Sequence, residues 1–356
     1  MNKLLHWATG AGKTKAALDL IGSFSIPGPN ILIFVPERQN ISGWRDEIKK
    51  WSCVLDDCCT IKCYASINRL KNTKWDFLVL DECHHTATAR KLDALKTIKA
   101  DHVIALSATP GNSIDNLEKI YGKFDVSKKE LNELIDSGRL PKPVVFVYDM
   151  YLNEERNMNE PSELTQYKAI CNRIKNDMIK YSRTQREALR NKMLQLGLER
   201  KLMLGRFKVP YVSYLLGKIW DKRYIVFCPS IEIARELYSL HPYGSACVDS
   251  SSSMKENEEN IKAFNNGDKD HLFVVGMLNE GTNLKDVEAG VLMQLDKTER
   301  TLIQKFGRTL RSENPRMYFF RFRNTVDDEL VKNIAWNIDS KHITNWEFSR
   351  ELLKKR

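Results

Sequence analysis

Long hydrophobic runs are missing from this chain of 356 residues. No stretch approaches the ~20 apolar residues that a membrane-spanning helix needs. Lys13 and Lys15 interrupt the apolar start that a signal peptide would require. No membrane partner is therefore expected, and the expected location is the cytoplasm, that of a host cell if the source is viral. Paired C-x₂-C knuckles are missing as well, although Cys53, Cys58, Cys59 and Cys63 crowd into one stretch. Without knuckle spacing the cluster fits reduced, partly buried thiols better than a zinc site, and the zinc reading stays open. No fixed period marks a solenoid, and the polar run Asp249 to Ser253 is too short to count as low complexity.

What is present is a composition able to build two ordinary domains, with 42% apolar and 29% charged residues. The net charge is +10, and its placement matters more than its size. Between Lys168 and Lys208 stand twelve Lys and Arg against Asp177, Glu187 and Glu199. Such a stripe suits a polyanion, the alternative being a solvated helix face.

Short apolar runs recur as in a parallel sheet: Ile31 to Val35, Phe77 to Leu80, Val103 to Leu106, and Val144 to Val147 after two prolines. The period then turns helical, with Leu164, Tyr167, Cys171, Ile174, Met178 and Tyr181 three or four apart, followed by Leu189, Met193 and Leu196. Strand-like runs resume at Tyr224 to Phe227, Leu272 to Val275, Val291 to Leu295 and Met317 to Phe322. This predicts an α/β chain of two parallel-sheet domains with a nucleotide cleft between them and a basic helical segment joining them. The expected bounds are 1–148 for the first domain, 149–217 for the helical segment, 218–325 for the second domain and 326–356 for a closing helical tail.

The most specific local signal runs from His6 to Thr14. An apolar start, a Gly-rich turn and a helix-compatible continuation form the context of a phosphate-binding loop. Thr9, Gly10, Ala11 and Gly12 would turn backbone N–H groups toward phosphate oxygens. Lys13 would reach the β- and γ-phosphates, and the Thr14 hydroxyl would ligate Mg²⁺. The second signal is an apolar strand running into Asp81-Glu82-Cys83-His84. Asp81 is the candidate for Mg²⁺, and Glu82 for orienting and deprotonating a water.

Here the chain resembles superfamily 2 helicases, and the resemblance covers nearly its whole length. Gly10 to Thr14 resemble motif I, Asp81 to His84 a DExH-box motif II, and Ser107 to Pro110 motif III. Ile225 to Ser230 are similar to motif IV, Asn279 to Leu284 to motif V, and Gln304 to Arg311 to motif VI. Val35-Pro36-Glu37-Arg38, followed by Trp44 and Glu47, resembles motif Ia of the group that holds XPB, the phage-type UvsW and the restriction translocases, with Glu37 where a Thr is usual. Leu134 to Pro141 resemble that group's exit from the first motor domain.

The resemblance implies two RecA-like domains, ATP and Mg²⁺ as cofactors, and nucleic acid as partner, DNA rather than RNA. It implies a catalytic set of Lys13, Asp81, Glu82, Gln304, Arg308 and Arg311. The two arginines stand at i and i+3, so one helix face would present both to a γ-phosphate, as arginine fingers worth about 10³ to 10⁵ in rate. Gly281 and Asn283 would help hold the nucleotide. His84, Ser107 and Thr109 would couple hydrolysis to movement. Pro36, Arg38, Ser66, Ser230 and Gly281 are candidate nucleic-acid contacts, although a serine after a strand is commonly a helix cap.

Departures from the pattern matter too. Relatives carry an adenine-recognising segment ahead of motif I, and here only a few residues precede the loop, so weak nucleobase discrimination is expected. Trp7 is read as core packing or as an aromatic surface for a base, and Gly276 stands in motif V where Thr or Ser is common. The expected function is an ATP-dependent DNA helicase or translocase of replication, repair or recombination, a monomer taking its target choice from DNA structure or from protein partners. The alternatives are an ATP-switched nucleic-acid clamp that does not unwind, and an RNA helicase.

Overall fold

The computed structural model describes residues 1–8, 10–156, 160–276, 284–293, 312, 314–328 and 343–354. The chain divides into two units, the first built on Met1–Lys142 and the second starting at Pro143. No described helix is long and apolar enough to cross a membrane.

The first unit contains β1 (Asn2–Trp7), α1 (Lys13–Gly22), β2 (Ile31–Val35), α2 (Gln39–Trp51), β3 (Cys59–Cys63), β4 (Lys74–Asp81), α3 (Ala89–Leu95), β5 (Lys99–Ser107), α4 (Ser113–Tyr121), β6 (Asp125–Lys129) and α5 (Leu131–Asp136). Its sheet has the order β3-β2-β4-β5-β1-β6, and every pairing is parallel. The sequence reason is burial on both faces. All five residues of β2 are buried, as central strands of a parallel sheet must be. Alternation along each strand then divides the core. Leu32, Phe34, Leu78, Leu80, Val103 and Ala105 pack to one side with Leu95 and Leu117 of α3 and α4. Ile31, Ile33, Phe77, Val79, Ile104 and Leu106 pack to the other, with Leu18 and Ile21 of α1 and Trp44 and Ile48 of α2.

The second unit contains β7 (Val144–Met150), α6 (Glu163–Thr184), α7 (Glu187–Lys218), β8 (Tyr224–Phe227), α8 (Ile231–Leu240), β9 (Ser245–Val248), α9 (Met254–Asn266), β10 (His271–Val274), β11 (Ala289–Leu292), β12 (Arg316–Phe322), β13 (Ile343–Glu347) and α10 (Glu351–Lys354). Its sheet, also parallel throughout, has the order β13-β7-β12-β11-β8-β10-β9.

The arrangement differs from the expected bounds in three places. The boundary between the units falls at Lys142/Pro143 rather than after 148, because β7 pairs with β12 over seven residues inside the second sheet. The helical segment is likewise part of the second unit, since Tyr167, Leu204, Val209, Val212 and Leu216 share one core with β8, β11 and β12. The closing tail is not helical throughout. Ile343–Glu347 forms an edge strand on β7, and Trp346 stands exposed on it.

The α6–α7 pair carries the basic stripe, and Lys208 leaves it. Lys208 is buried, and its ammonium donates to the Met293 carbonyl at 2.9 Å and meets the Asp327 carboxylate at 2.8 Å. Among the described residues, Lys168, Arg173, Lys175, Lys180, Arg183 and Arg186 remain exposed cations. Gly205 marks a close approach of α7 to the turn before α8, for a Cβ there would lie 2.7 Å from Pro229 Cγ.

Breaking the Lys208–Asp327 pair from one side leaves a buried charge uncompensated, a loss of about 3–5 kcal/mol. Lys208→Met is expected to lower the urea midpoint accordingly. Lys208→Met combined with Asp327→Asn, which keeps an acceptor for the Phe322 N–H, is expected to recover most of it. Gly205→Val is expected to cost about 1–3 kcal/mol by overpacking, read by the same titration.

Candidate functional site

In a parallel sheet every strand delivers its following loop to the same edge. With β4, β5 and β1 adjacent, the loops after Asp81, Ser107 and Trp7 emerge side by side. The three first-unit segments singled out in the sequence as nucleotide-handling are therefore neighbours, although they lie far apart along the chain.

The loop after β1 is built by two glycines of left-handed backbone, Gly10 at φ 85° and Gly12 at φ 81°. Gly12 leads directly into α1, and no side chain caps that helix. Its first N–H groups, which have no intrahelical acceptor, are left for an anion, and the helix dipole favours one there. A Cβ on Gly12 would meet nothing within 4 Å, so the approach is open. The Lys13 ammonium donates to the Trp7 carbonyl at 3.1 Å, which holds it at the mouth of β1. This donor set fits a polyphosphate: main-chain N–H groups, one cation and an uncapped helix. Ala11 and Thr14 take their places in the same loop and first turn. Thr9 lies outside the described residues.

The loop after β4 places two carboxylates. Asp81 ends the strand, and its Oδ2 accepts from the Trp44 indole N–H at 2.8 Å, while its carbonyl accepts from the Tyr64 hydroxyl at 2.9 Å. Glu82 follows with φ 46° and ψ 59°, a left-handed conformation uncommon for a residue with a side chain and a source of local strain. A 3₁₀ turn from Cys83 to Thr86 comes next. Asp81 and Thr14 are the residues that would hold a magnesium ion. Among the described residues no group of three His, Cys, Asp or Glu could hold a metal by itself, so the phosphate oxygens and water would supply the remaining ligands.

Glu82, His84, Ser107 and Thr109 form one hydrogen-bonded set. The Ser107 hydroxyl is 3.3 Å from Glu82 Oε2, 3.1 Å from His84 Nδ1 and 3.1 Å from the Thr109 N–H. Thr109 N–H donates to Ser107. A hydroxyl donates once and accepts twice. Ser107 therefore donates to Glu82 and accepts from Thr109 and from His84, which assigns the His84 proton to Nδ1. Ser107 and His84 are both buried, so the set has one arrangement and ties the loop after β4 to the loop after β5. His6, on β1 opposite Ser107, is held below the usual histidine range by burial and by the Lys128 charge.

The first-unit nucleic-acid candidates lie farther along the same edge. Pro36 and Arg38 sit between β2 and α2, with Arg38 exposed. Ser66 follows β3, and its hydroxyl donates to the Cys63 carbonyl at 2.8 Å. In the second unit Ser230 caps α8, accepting from the Ile233 N–H at 3.3 Å. Both serines thus carry a local structural bond. Gly276 has φ 64°, which accounts for glycine where a β-branched residue would be strained. Gly281, Asn283, Gln304, Arg308 and Arg311 lie outside the described residues.

Trp7 is almost fully buried in the core beside α1, donates to Ser127 Oγ at 3.0 Å, and is covered by the Lys129 ammonium. Its ring packs rather than offering a face for a base. Cys59 and Cys63 are buried on β3, and burial pushes the Cys59 thiol up to about 12, which makes it a poor thiolate ligand. Trp44, which the motif Ia-like stretch includes, and Tyr64 contribute contacts to Asp81 that the sequence does not signal. They are 37 and 17 residues from Asp81, and nothing in local spacing signals either contact.

Comparison with known proteins gives a family likeness and a fold. Residues 208–313 match the helicase conserved C-terminal domain. A Haloarcula marismortui protein described as a DNA 3'-5' helicase, Rad25, is 23% identical over 97% of this chain and 54% of its own length. The DNA 3'-5' translocase XPB2 of Sulfurisphaera tokodaii is 21% identical over 86% of this chain and 74% of its own. The chain thus spans about half the length of the Haloarcula relative. Among solved structures, Saccharomyces cerevisiae Dbp5 bound to RNA and ADP BeF3 aligns with TM-score 0.66 at 15% identity, covering 99% of this chain and 88% of that one. The Pyrococcus furiosus Hef helicase domain aligns with TM-score 0.55 at 13% identity, covering 93% and 94%. At these identities the structural likeness speaks for the fold, which is that of tandem RecA-like domains. The matched C-terminal domain and the Rad25 and XPB2 alignments along most of the chain make it similar to XPB-like helicases, and its two parallel-sheet units have the tandem RecA-like fold of the solved superfamily 2 helicases.

Proposed function

We propose that this chain is an ATP-dependent motor that acts on DNA as a helicase or translocase, with the 3'-to-5' direction that its relatives' names carry. The observation that carries the reading is the convergence, at one sheet edge, of the open glycine loop heading α1 with the Glu82–Ser107–His84 set. The first is a polyphosphate cradle. The second is a fixed carboxylate beside it, wired to a neighbouring loop.

In this mechanism the N–H groups of Gly10 to Thr14 and the Lys13 ammonium bind the β- and γ-phosphates of ATP. Thr14 and Asp81 would hold Mg²⁺, which would supply positive charge to the phosphate oxygens. Glu82 orients the attacking water and accepts its proton. Ser107 holds the Glu82 carboxylate and, through Thr109, passes a change at the γ-phosphate into the loop after β5. Gln304, Arg308 and Arg311 are proposed to stabilise the transferred phosphoryl group, with Gly281 and Asn283 contributing to nucleotide binding. Movement on DNA would follow from ATP favouring one disposition of the units and hydrolysis releasing it.

Nucleic acid is proposed to bind through Pro36, Arg38, Ser66, Ser230 and Gly281 and through the exposed cations of α6 and α7, contacts made chiefly with phosphates. DNA is favoured over RNA because the sequence relatives that align along most of the chain are named for DNA. The RNA in the Dbp5 structure accompanies a likeness of fold alone. A monomer working with replication or repair proteins, in the cytoplasm, completes the reading.

The test is ATP hydrolysis with single-stranded DNA, duplex DNA, forked DNA and single-stranded RNA at stated salt, beside strand displacement. DNA is expected to stimulate turnover more than RNA, and stimulation should weaken as salt rises. Binding without stimulation would favour the clamp. Lys13→Ala is expected to abolish turnover. Glu82→Gln should lower it by at least about 10²-fold while ATP still binds, as for loss of a general base. Normal hydrolysis in either variant would overturn the assignment.

A further inference from the structure

The indole of Trp44 has no part in the mechanism above, yet it donates to Asp81 Oδ2 at 2.8 Å and is 4% exposed. Trp44 lies in the middle of α2, whose first turn follows directly on Pro36 and Arg38, the stretch proposed to meet a DNA strand. The ring belongs to the same buried core as Leu18 and Ile21 of α1 and Ile33, Val35 and Val79 of the sheet, and it is carried by α2. One helix therefore has its N-terminus at the proposed DNA contact and the indole N–H of Trp44 on the proposed magnesium ligand.

We propose that Trp44 is a positioning residue that sets the orientation of the Asp81 carboxylate and transmits DNA binding at the start of α2 to the metal site. The proposal rests on the motor reading above. A carboxylate at a strand end can rotate about its Cβ–Cγ bond. A buried, charge-assisted donor on one oxygen fixes that rotation. If a strand at Arg38 shifts α2, the indole shifts and the carboxylate turns with it. DNA then changes the metal site without touching it, a coupling through a packed element with its own bonds at both ends.

Trp44→Phe keeps a ring in the core and removes only the donor. Two quantities test it in the full chain: Mn²⁺ affinity in the presence of ADP, from the free-ion signal in electron paramagnetic resonance, and the ratio of DNA-stimulated to unstimulated ATP hydrolysis. The Mn²⁺ dissociation constant is expected to rise on the order of tenfold, as for loss of an outer-shell partner. The stimulation ratio should fall severalfold at saturating metal. Thermal unfolding reports whether the variant is folded, and Trp44→Leu, which also lacks a donor, replaces it if it is not. Wild-type Mn²⁺ affinity, or wild-type stimulation, in a folded variant overturns the proposal. Absence of magnesium-dependent hydrolysis in the wild-type chain removes the motor reading and the proposal with it, an outcome distinct from a variant that matches an active wild type.

Discussion

Parallel hydrogen bonding between β4, β5 and β1 is the constraint on which the first unit's chemistry depends. Because all three strands run in one direction, their following loops share an edge. The register places Leu80 against Ala105, and Leu4 against the same Ala105 from the other side. A carboxylate, a serine and a phosphate loop are thereby brought together by main-chain bonds, before any side chain contributes. The buried alternation of β2, β4 and β5 holds that register, since a slip of one residue would turn each apolar side chain to the wrong helix layer.

Rigidity at this edge comes from a few polar groups held in apolar surroundings. Ser107 spends its whole hydrogen-bonding capacity on Glu82, His84 and Thr109. Inside a low-dielectric core such a set has few competing arrangements. The left-handed backbone at Glu82 belongs to the same design, because the strain is sustained only where neighbouring bonds over-determine the position. Trp44 adds a second anchor one residue earlier, on Asp81. Both acidic residues are thus tied to other elements, one to the strand end beside them and one to the helix after β2.

The second unit applies the same sheet logic and adds a long helical pair. What sequence periodicity presents as a connecting segment is core, since residues of α6 and α7 close the hydrophobic layer over β8, β11 and β12. The Lys208–Asp327 pair and the Asp149–Arg321 pair, with bonds of 2.6 and 2.8 Å, join segments distant in sequence within that layer. Positive charge on α6 and α7 therefore has two fates: most of it faces solvent, and Lys208 is consumed by packing.

The strongly apolar strands were readable from sequence, because β2, β4, β5, β8 and β12 are buried on both faces over at least four successive apolar residues. The glycine loop was readable because left-handed backbone at Gly10 and Gly12 is a local requirement that few residues meet. Strands with mixed faces were not readable. β6 has no buried residue, β9 is four residues long, and β13 is largely exposed, so none shows a period. The membership of β7 in the second sheet was equally hidden, being decided by its pairing with β12, far along the chain. The partners of Asp81 and Lys208 lay beyond sequence for the same reason. A carboxylate's neighbour, or the sign of an environment around a lysine, is a property of chain segments brought together in space, and only the packed sheets and helices determine which ones meet.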